Sequence, residues 1–293
     1  MEKDSNWNWL RRAFRLLKGR PEKIQRRNGV KYAEKSGASL EMDIYLPGED
    51  YKGYPLILFV HGGGFSEGRR DDPRYVQFAE NLADKGYPVA SITYRLTMKG
   101  RSFGCDQPAE NKIATFRAAA EDIWDATRFL HDNARVFGFM APPPIVLCGS
   151  SAGAEAVLHA AYWPEALLPD GFRYAGVIGM AAAIIELEWI SDKNALPTLL
   201  FHGIDDPLVP FGSDSHHFCP THAPGYLLLH GSESIARRLR GLGKPYLLYK
   251  GLEGGHGWAD KPMFDHHDII LNFLEDWVRR PGNGQTETAL GWH

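Results

Sequence analysis

Residues 149–153 read Gly-Ser-Ser-Ala-Gly, a Gly-x-Ser-x-Gly turn centred on Ser151. The preceding run Pro144-Ile145-Val146-Leu147-Cys148 is apolar and short, as a buried strand is, and Ala152 to Trp163 is alanine-rich and helix-forming. The motif requires this strand–turn–helix context to serve acyl transfer, because its sharp turn exposes the central hydroxyl at a helix N-terminus where the dipole favours developing negative charge. Glycines on both sides of the turn remove the Cβ atoms that neighbouring elements would strike. Alone, the pentapeptide also fits a chance loop of small residues, so its companions decide the reading.

The first companion is His61-Gly62-Gly63-Gly64-Phe65, directly after the apolar run Leu56-Ile57-Leu58-Phe59-Val60. Three consecutive glycines expose backbone N–H groups, and a fixed amide donor aimed at an oxyanion is worth about 3 kcal/mol in a dry site. Gly63 and Gly64 are the candidates, with the N–H of Ala152 as a third donor. The plain alternative is a flexible glycine-rich turn. A phosphate cradle is disfavoured because no lysine follows the glycines. His61 reads as a residue that shapes this loop, not as a base.

With an acid and a histidine later in the chain, these two motifs resemble an α/β-hydrolase of the esterase/lipase group with a glycine-rich oxyanion loop, over roughly residues 29–280. Within that fold the chain is similar to the compact carboxylesterases that include bacterial acetyl and feruloyl esterases acting on decorated plant polysaccharides. The resemblance implies the order Ser, acid, His. Pro197 to Phe201 is a strand pattern that runs into His202-Gly203-Ile204-Asp205-Asp206-Pro207, which resembles the family's acid turn with Asp206 in the acid position. Asp205 is its competitor, a carboxylate that in a turn more often caps or is solvated. Tyr246 to Tyr249 reads as a last strand, and His256 follows it between glycines, where its ring can swing over the nucleophile; His266 and His267 begin a helix pattern and read as surface residues. His202 matches a position that is structural in the family. The separations of 55 residues from Ser151 to Asp206 and 50 from Asp206 to His256 leave room for helix-plus-strand crossovers. Three loops can thus converge at the carboxyl ends of parallel strands.

The elements that must hold these residues alternate. An N-terminal hairpin turns at Lys35-Ser36-Gly37. Strands at 56–60 and 88–93 flank a helix near 73–85, and a long helix from about Ala109 to Asn133 carries a buried stripe of Ile113, Phe116, Ala120, Ile123, Thr127 and Leu130. The expected fold is α/β, a mostly parallel central sheet flanked by helices. About 16 residues separate the strand near Met180 from the one at Pro197, too few for a large cap domain. The expected division is a basic amphipathic segment at 1–28, a catalytic domain at 29–280 and a flexible tail at 281–293.

Residues 1–31 hold ten Lys/Arg against three Asp/Glu, whereas the remainder holds 23 against 33. Trp7, Leu10, Phe14 and Leu17 share one helical face, which suits docking on the acidic body better than an anionic membrane. The acidic body argues against nucleic acid, and no apolar run has membrane length. No signal peptide is visible, so a cytoplasmic site is expected as the chain stands, with a periplasmic or secreted one if a leader has been removed. The three cysteines, Cys105, Cys148 and Cys219, suggest no disulfide framework and a reducing compartment. His216-His217-Phe218-Cys219-Pro220-Thr221-His222 is rich in metal-type residues but lacks a standard ligand spacing, and reads as a loop at the rim of the site.

The sequence therefore predicts a serine carboxylic-ester hydrolase that needs no cofactor or metal, with Ser151, Asp206 and His256 as its triad and Gly63, Gly64 and Ala152 as oxyanion donors. Two walls, Thr97 to Pro108 and Gly212 to His230, mix aromatic, glycine and polar residues. They favour short or aromatic acyl groups on a polar alcohol, such as acetyl or feruloyl groups on carbohydrate. An arylformamidase, a small peptidase and a catalytically silent binding protein of the same fold are the alternatives.

Overall fold

The computed structural model describes residues 24–35, 37–48, 51, 53–280 and 282–292. The hairpin is present as β1 (Gln25–Lys35) and β2 (Ala38–Leu46), paired antiparallel. The apolar runs become fully buried strands: β3 (Leu56–Val60), β4 (Val89–Ile92), β5 (Ile145–Ser150), β6 (Gly176–Met180) and β8 (Thr198–Gly203). Continuous apolar sequence is what a parallel sheet covered on both faces requires. With β11 (Tyr246–Gly251) and β12 (Gln285–Leu290) they form a nine-stranded sheet in the order β1-β2-β4-β3-β5-β6-β8-β11-β12, parallel from β4 onward.

Helix α1 (Pro73–Asp84) starts where the Asp72 carboxylate accepts the N–H of Arg74 at 2.9 Å and Pro73 supplies a preset φ. Helix α2 (Ala109–Asp132) buries Phe116, Ala120, Ile123, Thr127 and Leu130 as the stripe required, while Ile113 is only partly buried. Asp122 is also buried on this helix, which the periodicity did not predict. It accepts the Arg95 N–H at 2.7 Å and the Arg95 Nε at 2.8 Å, so the buried charge is paired across to the chain leaving β4. Helix α3 (Ala152–Tyr162) lies directly after the Ser151 turn.

Between β6 and β8 stand only β7 (Ala183–Ile184) and a 3-10 turn (Leu187–Trp189), so there is no large cap. A small second sheet, β7-β10-β9, is built by β7 with β9 (Ser213–Ser215) and β10 (Leu228–Gly231). Helix α4 (Ser232–Gly241) then leads to β11.

The structure corrects three expectations. Residues 285–290, assigned to a flexible tail, add β12 to the sheet edge in register with β11, from Tyr246 opposite Gln285 to Gly251 opposite Leu290. Its sequence Gln-Thr-Glu-Thr-Ala-Leu carries too few apolar residues to show as a strand, and backbone pairing holds it instead. The sheet also begins at Gln25, three residues before the expected boundary at 28. The third correction is a disulfide between Cys105 and Cys219, 114 residues apart, with Cα atoms 5.2 Å apart. It ties the two walls to each other, and the inference of a reducing compartment loses its footing. Cys148 is the free, buried cysteine expected in its strand. The amphipathic stripe Trp7, Leu10, Phe14 and Leu17 lies outside the described residues. No described helix is long and apolar enough to cross a membrane.

Candidate active site

Strand registers align the carboxyl ends that carry the site. Val60 stands opposite Gly149, Ser150 opposite Met180, and Gly203 opposite Gly251, so the chain segments leaving β3, β5, β8 and β11 emerge on one edge of the sheet. At the end of β5, Ser151 has φ 50° and ψ −122°, a conformation that non-glycine residues avoid. It is held by its N–H donating to Met180 O at 2.8 Å and by its carbonyl accepting from Ala154 N at 2.7 Å and Glu155 N at 3.0 Å. The flanking glycines are required by contact. A Cβ on Gly149 would lie 2.3 Å from Gly153 O, and one on Gly153 would lie 2.1 Å from Val60 O.

The exposed hydroxyl meets the two other sequence candidates. Ser151 Oγ is 2.8 Å from His256 Nε2, and His256 Nδ1 is 2.7 Å from Asp206 Oδ2. The other Asp206 oxygen accepts the N–H groups of Leu208 at 2.8 Å and Val209 at 3.0 Å, which fixes the carboxylate plane. Burial alone would raise the Asp206 pKa, but the imidazoles of His202 and His256 outweigh it and hold the group well below the usual carboxylate range. For His256 burial acts against the charged form; the hydrogen bond that its Nδ1–H donates to Asp206 and the charge of that carboxylate, with smaller contributions from Glu155 and Asp260, raise the pKa overall. A neutral imidazole here can take a proton from Ser151, and the paired carboxylate stabilises the imidazolium that results.

Gly63, Gly64 and Ala152 line the same cavity as Ser151 and His256, a space of about 700 Å³. Ala152 occupies the first position of α3, where an N–H has no intrahelical acceptor. No backbone or side-chain acceptor takes the N–H of Gly63 or Gly64 among the described residues. His61 turns away from the cavity, its Nδ1 2.7 Å from Gly62 O, in the loop-shaping position expected. Asp205 accepts the N–H of Gly255 at 3.0 Å and does not reach the ring of His256. His202 bridges Ser232 Oγ at 2.8 Å and Val209 O at 3.1 Å, bonding the acid loop to α4. Ser150 is buried and donates to Asp260 Oδ1 at 3.1 Å. Its neighbour Asp260 also pairs with Arg74 at 3.0 Å.

Two expectations change in detail. The loop 216–222 was placed at the rim, yet His216 is buried and lines the cavity, with the Phe103 ring 4.9 Å away. His266, expected at the surface, is half-buried and stacks on Trp258 at 5.5 Å between ring centres. No group of three or more His, Cys, Asp or Glu positioned to hold a metal ion occurs among the described residues. Sequence reasoning missed Glu155, which is 2% exposed and lines the cavity one helical turn beyond Ser151. The signal was available, since a single acid stands in the otherwise apolar run Ala152 to Leu158.

Residues 42–170 match the family model BD-FAE. Gut esterase 1 of Caenorhabditis briggsae is 32% identical over 159 residues, 54% of this chain and 26% of the relative, so the chain spans about a quarter of that protein's length. Among solved structures, the propionate-bound esterase Est2 of Thermogutta terrifontis superposes with a TM-score of 0.61 at 17% identity, covering 90% of this chain and 97% of that one. A truncated carbohydrate esterase from gut microbiota gives a TM-score of 0.63 at 16% identity, covering 89% and 98%.

Proposed function

We propose that this chain, which belongs to the α/β-hydrolase-fold esterases, hydrolyses short-chain or aromatic acyl esters of polar alcohols, with acetyl or feruloyl groups on carbohydrate as the favoured substrates. The observation that carries the reading is the unbroken hydrogen-bonded chain from Ser151 Oγ through His256 to Asp206, opening into a cavity that also holds the glycine loop.

In the reaction Ser151 Oγ attacks the ester carbonyl carbon while His256 Nε2 takes the hydroxyl proton. The carbonyl oxygen becomes an oxyanion that accepts from the N–H groups of Gly63, Gly64 and Ala152. Collapse breaks the bond to the alcohol, which leaves with the proton from His256, and an acyl group remains on Ser151. Water, deprotonated by His256, attacks that acyl group and releases the acid with Ser151 restored. Asp206 keeps the ring in the tautomer that presents Nε2.

The substrate reading is supported by the shape of the site. Among the described residues no cap between β6 and β8 stands ready to enclose a long chain. One side is polar, with Arg69, Asp72, Arg74 and Asp260, while Phe103, Leu208 and Val209 supply apolar surface for a small or flat acyl group. The gut-microbiota carbohydrate esterase among the structural neighbours points in the same direction. The test is turnover of a panel of nitrophenyl esters, acetylated sugars, feruloyl esters and aryl formamides. Hydrolysis of the acetylated or feruloylated carbohydrates above the others supports the reading, and exclusive cleavage of formamides overturns it in favour of an amide hydrolase.

A further inference from the structure

The cavity has a polar floor that the triad does not use. Glu155 Oε1 is buried without a hydrogen-bond partner, and so is His216 Nδ1. The two side chains face each other, with His216 Nε2 3.3 Å from Glu155 Oε1 in a direction that makes no hydrogen bond. Phe103 packs edge-on against the His216 ring at 4.9 Å, and Phe116 lies at 6.2 Å. The nearest buried cation, Lys112, commits its ammonium to Gly225 O at 2.8 Å. An unpaired polar atom in such a place is costly, and a bound molecule carrying the complementary group removes that cost.

The chemistry of that group follows from the pair. A carboxylate or phosphate would force Glu155 to keep its proton and would meet a neutral imidazole in place of a cation. An ammonium would sit beside Lys112 and an imidazole that burial pushes down to about 3 and so keeps neutral. An apolar group would leave both atoms unsatisfied. A hydroxyl suits either group, since it can donate to one kind of partner and accept from the other. Burial also pushes the Glu155 carboxyl up to about 8, so the acid can serve as donor or acceptor near neutral pH.

We propose that Glu155 and His216 form a recognition subsite for a hydroxyl group of the ester substrate, making them specificity-determining residues beside the nucleophile. The inference rests on the hydrolase reading above and narrows its substrates to hydroxylated esters. The hydroxyl can belong to the acyl or to the alcohol part, and two matched pairs separate these: methyl 4-hydroxycinnamate against methyl cinnamate, and glycerol monoacetate against propyl acetate. A site built to bond a hydroxyl discriminates strongly against the analogue that lacks it.

The wild-type enzyme should favour the hydroxylated member of one pair by at least about tenfold in kcat/KM. Glu155→Leu should shrink that preference toward one, whereas Glu155→Gln, which keeps a donor and an acceptor, should retain most of it. A wild-type preference near one in both pairs overturns the subsite without recourse to any variant. An equal loss on both members in Glu155→Leu overturns it too, because a merely structural role lowers both alike. Turnover of none of the four esters contradicts the hydrolase reading, and this inference falls with it.

Discussion

Asp205 and Asp206 are neighbours in sequence that grip the same loop by different handles: Asp206 Oδ2 meets the His256 ring at 2.7 Å, and Asp205 Oδ1 accepts the N–H of Gly255 at 3.0 Å. The first contact orients the imidazole, and the second anchors the backbone on which the imidazole stands. Only the first involves a charge that the reaction develops.

Asp206→Asn should therefore lower kcat by about 10⁴ with little change in KM, because the amide favours the wrong tautomer. Asp205→Asn keeps a carbonyl oxygen for Gly255 and should stay close to wild type. Asp205→Ala loses about 1 kcal/mol of anchoring and should lose roughly fivefold in activity. Steady-state kinetics of the three variants check this, and an equal, severe loss in both asparagine variants would remove the distinction between the two acids.

The acid limb of the pH–rate profile should report His256. Its neutral form is the proposed base, and its pKa is raised above the ordinary histidine value, so kcat/KM should rise with pH through an inflection higher than that of a free imidazole. Removing the Asp206 charge destabilises the imidazolium and should move the residual activity's inflection to lower pH. Glu155 and Asp260 also face this ring electrostatically, so Asp260→Asn should shift the inflection down by a smaller amount. An inflection that moves upward in Asp206→Asn would contradict the arrangement.

The disulfide closes a loop of more than a hundred residues and joins the walls that carry Phe103 and His216. Its removal should cost about 2–4 kcal/mol of stability. Thermal unfolding with and without reductant, and of the Cys105→Ser/Cys219→Ser double variant, should show Tm lowered by roughly 5–10 °C. An unchanged Tm would mean that the two walls are held by their other contacts.

Much of this architecture was legible in the sequence because its central strands are apolar throughout and its glycines sit where backbone must touch backbone. β3, β5 and β8 appear as runs of Leu, Ile, Val and Phe, and Gly149 and Gly153 mark the tight strand–helix approach on which Ser151 stands. The pieces that escaped notice are held by interactions that periodicity does not encode. β12 is a polar edge strand sustained by pairing with β11, and the two-residue β7 exists through its pairing with β10. Cys105 and Cys219 meet only because the fold brings two distant walls together. Glu155 and His216 are separated by 61 residues and became neighbours for the same reason.

Acyl-chain preference follows from the missing cap. An enzyme that encloses its acyl chain gains about 0.8 kcal/mol for each buried methylene, and its kcat/KM climbs over several carbons. No large insertion among the described residues offers such cover, so kcat/KM on nitrophenyl esters should peak between acetyl and butyryl and fall sharply by octanoyl. A preference for decanoyl esters would show that the walls at 97–108 and 212–230 close into an apolar lid.

The central claim is that Ser151 is the nucleophile, and covalent capture tests it most directly. A fluorophosphonate should add one phosphonyl group per chain, peptide mass spectrometry should place it on Ser151 and not on the adjacent Ser150, and nitrophenyl acetate turnover should disappear in step with labelling. Ser151→Ala should neither label nor turn over, a loss of about 10⁴-fold or more, while Ser150→Ala should still do both. Labelling at Ser150, or full turnover in folded Ser151→Ala, would contradict the account.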